Sequence, residues 1–247
     1  MAVPRSVLVT GGNRGIGLGF VKHFLGLKEV SHVFATARDP DGATDLKAIS
    51  DSRLHIVKMD VQSDESVVQA EKKVASVVGN SGLNLLINNS GVAVDYDLDG
   101  PPKREAIMSC LDVNVAGPIV VSQVFLPLLR KASSANDSLP VSIGRAGIVN
   151  ISSGAGSIQD NQRGGYVVYR TSKSGLNCLT KSIALHADKD KILCVAILPG
   201  FVETRMTGQR GELTVEQSIH LMTTALNTFG QEQQGGFFGK DGKPFPY

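Results

Sequence analysis

Short apolar runs rich in β-branched residues alternate along this chain with longer segments whose apolar positions recur at helical spacing. In the first third of the chain the apolar runs lie at 6–10, 31–36, 54–58 and 84–88, and helical patterns lie at 15–25 and 63–78. Runs that are apolar at nearly every position are typical of parallel strands buried on both faces, and their alternation with helices is typical of βαβ units. The pattern therefore predicts an α/β fold on a parallel sheet.

The same alternation continues through the second half of the chain. Helical periodicity covers 103–131, 167–187 and 214–228, and strands are predicted at 147–152, 192–198 and 236–239. A total of about seven strands predicts a Rossmann-type doubly wound sheet of order 3-2-1-4-5-6-7 with helices on both faces. Because 247 residues suit one large α/β unit, we predict a single domain over 1–247.

The composition argues against several classes of partner. The 25 basic and 23 acidic residues leave a net charge of +2, and no basic run is longer than Lys72-Lys73, so no electrostatic footprint for nucleic acid is present. No uninterrupted apolar stretch approaches the ~20 residues of a membrane helix, and the N-terminus leads directly into a strand. We expect a cytoplasmic protein with neither a nucleic-acid nor a membrane partner.

The cysteines and histidines show no pattern of a metal site. Cys110, Cys178 and Cys194 are odd in number, widely spaced and flanked by apolar residues, which is typical of core side chains in a reducing compartment. The histidines lie in or beside predicted strands and helices, where packing or surface positions are expected. We predict no disulfide and no metal.

Two segments are predicted to be loops. Residues 133–145 are polar and interrupted by proline, and we expect a surface insertion remote from the chemistry. Residues 154–165 are rich in glycine, glutamine and asparagine and follow a predicted strand. Because open α/β sheets bind ligands at the carboxyl ends of their strands, the second loop is predicted to form part of a pocket.

A glycine-rich turn joins the first predicted strand to the first predicted helix. Gly11, Gly15 and Gly17 fall in Thr-Gly-Gly-Asn-Arg-Gly-Ile-Gly, and glycines there allow the backbone to turn tightly and approach a pyrophosphate at the helix N-terminus. Many strand-to-helix turns contain glycine for steric reasons alone. The position inside a clear βαβ unit nevertheless favours a dinucleotide.

The end of the second strand indicates which dinucleotide. An NAD site usually has an acidic residue there to bind the ribose hydroxyls, whereas this chain has Arg38. Arg38 and Arg14 are suited to clamp a 2′-phosphate, which favours NADP(H). Two alternatives remain, because both arginines could simply be solvated and the adjacent Asp39 keeps NAD(H) as a less favoured cofactor.

Further polar residues follow the third and fourth strands. Asp60 is suited to meet an adenine amino group, and 88–91 offers polar side chains and unhindered backbone near the adenosine ribose, although either would be an ordinary turn if it stood alone. The candidate dinucleotide contacts in the first part of the chain are Gly11, Asn13, Arg14, Gly15, Ile16, Gly17, Arg38, Asp60, Val61, Asn89, Ser90 and Gly91.

Tyr169 and Lys173 are the candidate reacting pair. Four-residue spacing on a helix places a phenol beside an ammonium. The pKa of a free phenol is about 10, so bringing it near 7 requires roughly 4 kcal/mol in favour of the phenolate. We expect a close lysine, helped by a bound cationic ring, to supply much of that energy. Taken alone, such a pair is also a common feature of helix surfaces.

Other residues strengthen the interpretation of this pair. Ser153 ends a predicted strand, and its hydroxyl can hold a substrate carbonyl while Tyr169 donates a proton to the carbonyl oxygen. Asn114 falls within a helical stretch, where asparagine is mildly unfavourable, so a local bend with a function is expected. The Gly-x-Ser-x-Gly elbow of serine hydrolases is absent from the sequence.

Together these residues resemble the classical short-chain dehydrogenase/reductase family over essentially the whole chain. The family's Thr-Gly-x-x-x-Gly-x-Gly, Asn-Asn-Ala-Gly and Tyr-x-x-x-Lys motifs match 10–17, 88–91 and 169–173, and its asparagine and serine match Asn114 and Ser153. The resemblance also implies that the segment after the sixth strand contacts the nicotinamide carboxamide, through Pro199, Gly200, Val202 and Thr204.

More narrowly, the chain is similar to sniffer-like carbonyl reductases and the related C-factor proteins. It differs from the family pattern in three respects. Ser90 replaces the usual alanine, and the wide gap before Tyr169 leaves open whether Ser152 or Ser153 faces the substrate. Tyr166 is followed at the same offset by Arg170 rather than lysine, so we expect it to line the pocket rather than to catalyse.

The resemblance implies NADP(H)-dependent reduction of a small-molecule carbonyl, with Tyr169 as the proton donor. Lys173 would lower the phenol pKa and bind the nicotinamide ribose, and Asn114 would position a water that relays protons. It also implies a homodimer or homotetramer built from the helices near 115–131 and 167–187. Two alternatives remain open: an NADP(H)-binding signalling or sensor protein with little turnover, and a sugar-nucleotide epimerase or dehydratase, for which the chain is short.

Overall fold

A computed structural model describes residues 3–247, and strands alternate with helices through this part of the chain. Its strands are β1 Ser6–Val9, β2 His32–Ala37, β3 Leu54–Lys58, β4 Leu85–Asn88, β5 Gly147–Ile151, β6 Leu193–Ile197 and β7 Phe237–Phe238. Its α-helices are α1 Gly15–Leu25, α2 Thr44–Lys47, α3 Asp64–Val78, α4 Arg104–Leu111, α5 Gly117–Ala135, α6 Val167–Ala187 and α7 Val215–Leu226.

The strands form one parallel sheet in the order β3-β2-β1-β4-β5-β6-β7. This confirms the predicted doubly wound fold. The chain reverses its direction of travel across the sheet between β1 and β4, which are hydrogen-bonded neighbours. A crevice forms at such a switch point beyond the carboxyl ends of the strands, so the loops after β1, β4, β5 and β6 meet at one edge.

Each face of the sheet carries its own apolar core. Successive strand residues point to opposite faces, so Val33 packs with Phe20 and Phe24 of α1, while Phe34 packs with Phe125 of α5 on the other side. All five of these residues are at most 2% exposed. Burial on both faces explains why the strands read as continuous apolar runs rather than as alternating patterns.

Several helix boundaries differ from the sequence prediction. The short helix α2 was not predicted, because four residues carry too little periodicity. The predicted helix 103–131 is divided into α4, a π-helix at Asp112–Ala116 and α5. Ser63 is the N-cap of α3, where it accepts a hydrogen bond from the Ser66 amide at 3.2 Å. The helix itself therefore begins at Asp64, one residue after the predicted start.

The expectation for 133–145 was wrong in part. The segment begins within α5, and its last residue, Arg145, is only 7% exposed. The Arg145 guanidinium donates to the Ser133 hydroxyl at 2.9 Å and to the carbonyl oxygens of Asp137 and Leu139 at 2.9 and 2.7 Å. The segment is therefore exposed at Ser134, Asp137 and Ser138, as expected, but its arginine is buried and bonded within the segment, which a count of polar residues cannot reveal.

Within residues 3–247, the continuous helical segment Arg104–Ala135 is long and apolar enough to cross a membrane by length and composition. Its buried face packs on the sheet, where Val121, Phe125 and Leu129 are fully buried. This packing accounts for its apolar composition, as expected of a core helix.

The three cysteines are free and differ in burial. Cys110 and Cys194 are buried, whereas Cys178 is exposed on α6, which corrects the expectation of a core position for all three. Within the described range 3–247, no group of three or more His, Cys, Asp or Glu side chains could hold a metal ion.

Candidate active site

The glycine loop between β1 and α1 is closely packed on its own backbone. Gly11 and Gly15 adopt φ angles of +63° and +52°, which favour glycine. A Cβ added to Gly17 would overlap the carbonyl oxygen of Gly11. The three glycines predicted to form a dinucleotide turn are therefore each required by the local backbone.

The loop after β4 holds this turn in place. The backbone amides of Asn89 and Ser90 both donate to the Thr10 hydroxyl at 2.9 Å, and the Asn89 side chain donates to the Thr10 carbonyl oxygen at 2.8 Å. The Ser90 hydroxyl lies 2.9 Å from the position that a Cβ of Gly11 would take. Asn89 and Ser90, predicted to contact a cofactor, thus also brace the glycine loop.

The N-terminus of α1 is suited to a phosphate group. Its N-cap residue, Arg14, makes no side-chain capping bond, and the first turn contains no acidic residue. The dipole and free amides of such a turn favour an anion. Asn13 and Ile16 flank it, and Ile16 packs against the core below.

Arg14 and Arg38 are both exposed beside this turn. Neither takes part in an ion pair within residues 3–247. The Asp39 carboxylate, in contrast, accepts a hydrogen bond from the Asp41 amide at 3.0 Å. The two cations are therefore available to a phosphate ligand, while the competing acidic residue is engaged in its own turn.

Asp60 and Val61, which follow β3, lie on the same edge of the sheet. The Asp60 carboxylate accepts a bond from the Gln62 amide at 3.1 Å, and the Val61 side chain packs against Gly117 at the start of α5. In the described chain these contacts fix the loop that is predicted to border an adenine.

The loop after β6 reaches back over the glycine turn. A Cβ on Gly15 would lie 3.7 Å from the Thr204 methyl group. Val202 is 2% exposed and bridges to Leu213, and Gly200 turns the chain with a φ of +84°. The Pro199 carbonyl oxygen is fixed by the Ser218 hydroxyl at 2.7 Å. These contacts bring the predicted carboxamide segment to the nucleotide turn.

Lys173 is buried beneath the site. It is 4% exposed, and its Nζ donates to the Ile151 carbonyl oxygen at 2.8 Å and lies 5.8 Å from the centre of the Tyr169 ring. Burial lowers the pKa of Lys173 from 10.5 to about 8. The ammonium is therefore poised to lose and regain a proton near physiological pH.

The pKa of Tyr169 departs from the sequence expectation. Burial raises it above its ordinary value, and a hydrogen bond with Ser153 opposes this only in part. The lowering expected from Lys173 is not seen in the described chain, where Nζ donates to the Ile151 carbonyl oxygen and lies 5.8 Å from the centre of the phenol ring. The contribution expected from a bound cationic ring stays a prediction.

The two serines at the end of β5 have different roles in the structure. Ser152 is 3% exposed and donates to the Asn177 side-chain oxygen at 2.6 Å. The Ser153 hydroxyl accepts a hydrogen bond from the Ala155 amide at 3.2 Å, and it lies near enough to Tyr169 to lower the pKa of the phenol. Of the two hydroxyls left open by the sequence, that of Ser152 is bonded to Asn177, and that of Ser153 is the one that affects the pKa of the tyrosine.

Asn114 lies in the π-helix, at the bend that its unfavourable helix propensity predicted. Its amide nitrogen donates to the Val92 carbonyl oxygen at 2.8 Å and to the Ser172 hydroxyl at 2.9 Å, and its oxygen accepts from the Val92 amide at 2.9 Å. A Cβ on Gly91 would lie 3.4 Å from the Asn114 oxygen and 3.6 Å from Lys173 Nζ. The asparagine thus joins α6 to the loop after β4 beside the lysine.

Tyr166, at the N-terminus of α6, is 70% exposed with a φ of +47°. Arg170 donates to the carbonyl oxygens of Gly164 and Gly165, both at 3.1 Å, and so fixes the loop to the helix. The Tyr166 and Arg170 pair therefore has a structural arrangement unlike that of Tyr169 and Lys173, and the expected place of Tyr166 in the pocket wall stays a prediction.

Sequence reasoning missed several residues around the site. Asn177 and Ser172 anchor catalytic candidates, and the carbonyl oxygen of Tyr247 accepts from the Gln159 amide at 2.8 Å in the pocket loop. The position of Asn177, one helical turn after Lys173, was an available signal. No local pattern indicates the contact between 159 and 247.

The sheet order, the glycine turn at its switch point and the tyrosine and lysine beside it define a Rossmann-type oxidoreductase. Residues 5–214 match the family model of the short chain dehydrogenases. The match spans most of the chain, and the protein belongs to this family.

Known relatives agree with this assignment. The chain is 30% identical to an uncharacterized oxidoreductase of Schizosaccharomyces pombe, covering 100% of both sequences. It is similar to the structure of the carbonyl reductase Sniffer of D. melanogaster, with a TM-score of 0.95, 38% identity and coverage of 99% of this chain and 100% of that one. It is also similar to an NADPH-bound carbonyl reductase from chicken fatty liver, with a TM-score of 0.92, 39% identity and 99% coverage of each chain.

Proposed function

We propose that this protein is an NADPH-dependent carbonyl reductase, which converts an aldehyde, ketone or quinone to the alcohol with Tyr169 as the proton donor. The observation that carries the proposal is the convergence of Ser153, Tyr169 and the buried Lys173 at the carboxyl edge of the sheet, where Lys173 Nζ lies 5.8 Å from the centre of the Tyr169 ring and Ser153 lowers the pKa of the phenol. Two hydroxyl groups that lie beside each other can both reach one carbonyl oxygen.

The chain's own residues account for the acid half of the reaction. Ser153 donates a hydrogen bond to the substrate oxygen and stabilises the negative charge that develops there. Tyr169 transfers its phenolic proton to that oxygen, and a proton from solvent then restores the phenol. A bound NADPH would supply the hydride that adds to the carbonyl carbon. Lys173, with its pKa of about 8, is suited to pass the restoring proton to Tyr169.

NADP(H) is proposed over NAD(H) because of charge. Arg14 and Arg38 are exposed and unpaired within residues 3–247 beside the α1 N-terminus, and a 2′-phosphate would engage both. The structurally similar carbonyl reductase from chicken fatty liver was solved with NADPH bound. For the substrate, the exposed apolar side chains of Ile158, Tyr166 and Met206 favour a small, partly apolar carbonyl compound.

A cofactor titration combined with a substrate panel tests the proposal. NADPH oxidation is followed with quinones, aldehydes and ketones, and NADH is compared at equal concentration. Tyr169→Phe should retain NADPH binding and lose turnover by about 10²-fold or more. Tyr166→Phe is the matched control, because it removes the hydroxyl of the other tyrosine and should leave turnover near the native rate.

Two results would overturn the proposal. If Tyr169→Phe reduced carbonyl compounds at the native rate, Tyr169 would not be the acid. If the native protein bound NADPH and oxidised it with no member of the panel, a binding or sensing function without turnover would replace the enzymatic one.

A further inference from the structure

We propose that Asn177 is a positioning residue, which fixes the Ser153 hydroxyl against Tyr169 by holding the chain on both sides of Ser153. The inference rests on the proposed carbonyl reductase function. Asn177 lies on α6, one turn beyond Lys173 and two turns beyond Tyr169, and is 2% exposed.

The asparagine makes one bond before Ser153 and one after it. Its side-chain oxygen accepts from the Ser152 hydroxyl at 2.6 Å, and its side-chain nitrogen donates to the Gly156 carbonyl oxygen at 3.2 Å. Between these two points the Gly156 amide donates to the Ser153 carbonyl oxygen at 2.8 Å. Ser153 therefore stands in a short segment whose two ends are held by a single side chain.

The turn that carries Ser153 is packed directly on the catalytic helix. A Cβ on Gly156 would lie 2.9 Å from the Asn177 nitrogen and 3.0 Å from the Lys173 carbonyl oxygen. The Ser174 hydroxyl also donates to the Gly156 carbonyl oxygen, at 3.0 Å. If Asn177 were replaced, the Gly156 carbonyl oxygen would keep its bond from Ser174. The Ser152 hydroxyl would lose the one side-chain hydrogen bond that it makes within residues 3–247.

The expected consequence concerns the rate more than substrate binding. A displacement of a reacting group by about 1 Å can cost 10²-fold in rate, because alignment is needed in the transition state. Ser153 would stabilise charge that develops only during the reaction, so its displacement should lower kcat and kcat/KM together.

The first test compares Asn177→Leu with Thr180→Val. Thr180 is buried on the same helix and accepts from the Asn150 side chain at 2.8 Å, so its replacement also removes a buried hydrogen bond but leaves the Ser153 segment unchanged. Asn177→Leu should lower kcat for carbonyl reduction by 10- to 100-fold, with KM and the Kd for NADPH within about threefold of native. Thr180→Val should keep kcat within about threefold.

The second test measures the energetic coupling between Ser152 and Asn177, and it includes a variant milder than Asn177→Leu. Ser152→Ala keeps Ser153 and removes one of the two Asn177 bonds, so it should lower kcat by several-fold. In the Asn177→Leu background the same Ser152→Ala change should have no further effect, because the bond is already lost. If Asn177→Leu does not fold, Ser152→Ala alone decides, with Thr180→Val as its control.

The outcomes separate this inference from the proposed function. Suppose that the native protein reduces carbonyl compounds and that Asn177→Leu and Ser152→Ala have the same kcat as Thr180→Val. This result would overturn the positioning role of Asn177 and leave the proposed function standing. Fully additive effects of Ser152→Ala and Asn177→Leu overturn it as well. A native protein that reduces no carbonyl compound overturns the proposed function and this inference together.

Discussion

Replacing Lys173 by methionine should make the cofactor-free protein more stable at neutral pH while abolishing its activity. The side chain is 4% exposed, and burial lowers its pKa from 10.5 to about 8. Below pH 8 the ammonium is therefore charged in both the folded and the unfolded chain, and the folded state bears the full cost of burying it. Methionine has a similar shape and no charge to bury.

The magnitude follows from the two pKa values. A difference of about 2.5 pH units, at about 1.36 kcal/mol per unit, corresponds to about 3 kcal/mol of destabilisation at pH 7. Methionine would recover that amount but would lose the bond from Nζ to the Ile151 carbonyl oxygen, which is worth about 1 kcal/mol. The net gain is about 2 kcal/mol, or a Tm higher by about 5 °C.

The gain should disappear as the pH rises. Between pH 8 and 10.5 the unfolded chain holds a proton on Lys173 that the folded chain has released, so the native free energy of unfolding rises with pH relative to that of the variant. Above pH 10.5 the variant should be the less stable protein by about 1 kcal/mol. Other titrating groups, such as Tyr169 and Cys194, are present in both proteins and cancel in the difference.

Urea unfolding of both proteins at pH 7, 9 and 10.5, without cofactor, measures this difference. Lys181→Met is the control, because Lys181 is exposed on the same helix and its replacement should change stability by less than about 0.5 kcal/mol at every pH. If Lys173→Met lowered the free energy of unfolding at pH 7 by as much as at pH 10.5, burying the Lys173 ammonium would carry no cost and the reasoning would be wrong.

Three further changes test other parts of the structure. Arg145→Met should lower the free energy of unfolding by about 3 kcal/mol in urea titrations, because it leaves the Asp137 and Leu139 carbonyl oxygens without their hydrogen-bond donor. An effect below about 0.5 kcal/mol would contradict the internal role of this arginine. Gly17→Ala should weaken NADPH binding at least about tenfold in a fluorescence titration, because the Cβ of the new alanine would overlap the Gly11 carbonyl oxygen. A native affinity of this variant for NADPH would show that the turn does not hold the dinucleotide. Arg38→Asp should weaken NADPH at least about tenfold while leaving NADH within about threefold, whereas equal losses for both would point to general damage.

The fold was predictable because its signals are local. Strands such as β5 and β6 are buried on both faces, so they read as apolar runs, and their alternation with helices indicates a doubly wound parallel sheet. The glycine turn and the spacing of Tyr169 and Lys173 are likewise carried by neighbouring residues. The structure brings these candidates to one edge of the sheet.

Other properties depend on residues distant in sequence. The choice between Ser152 and Ser153 depends on Asn177, which lies 25 positions after Ser152. The pKa of Tyr169 is raised because tertiary packing buries it, which helical spacing alone does not reveal. Polar composition suggested exposure for Arg145, although its partners are supplied by a turn that closes only in the folded chain.

The π-helix at Asp112–Ala116 restricts how the length of this chain can change. It holds one residue more than an α-helix of the same hydrogen-bonded span, and each residue turns an α-helix by about 100°. A single deletion in this segment would leave the residue count of a regular α-helix over the same span, so α4 and α5 could keep their relative orientation while Asn114 would be displaced from Val92 and Ser172. A one-residue deletion here should therefore cost the contacts of Asn114 more than the packing of α4 and α5, whereas insertions and deletions should be tolerated in the largely exposed loop 95–100.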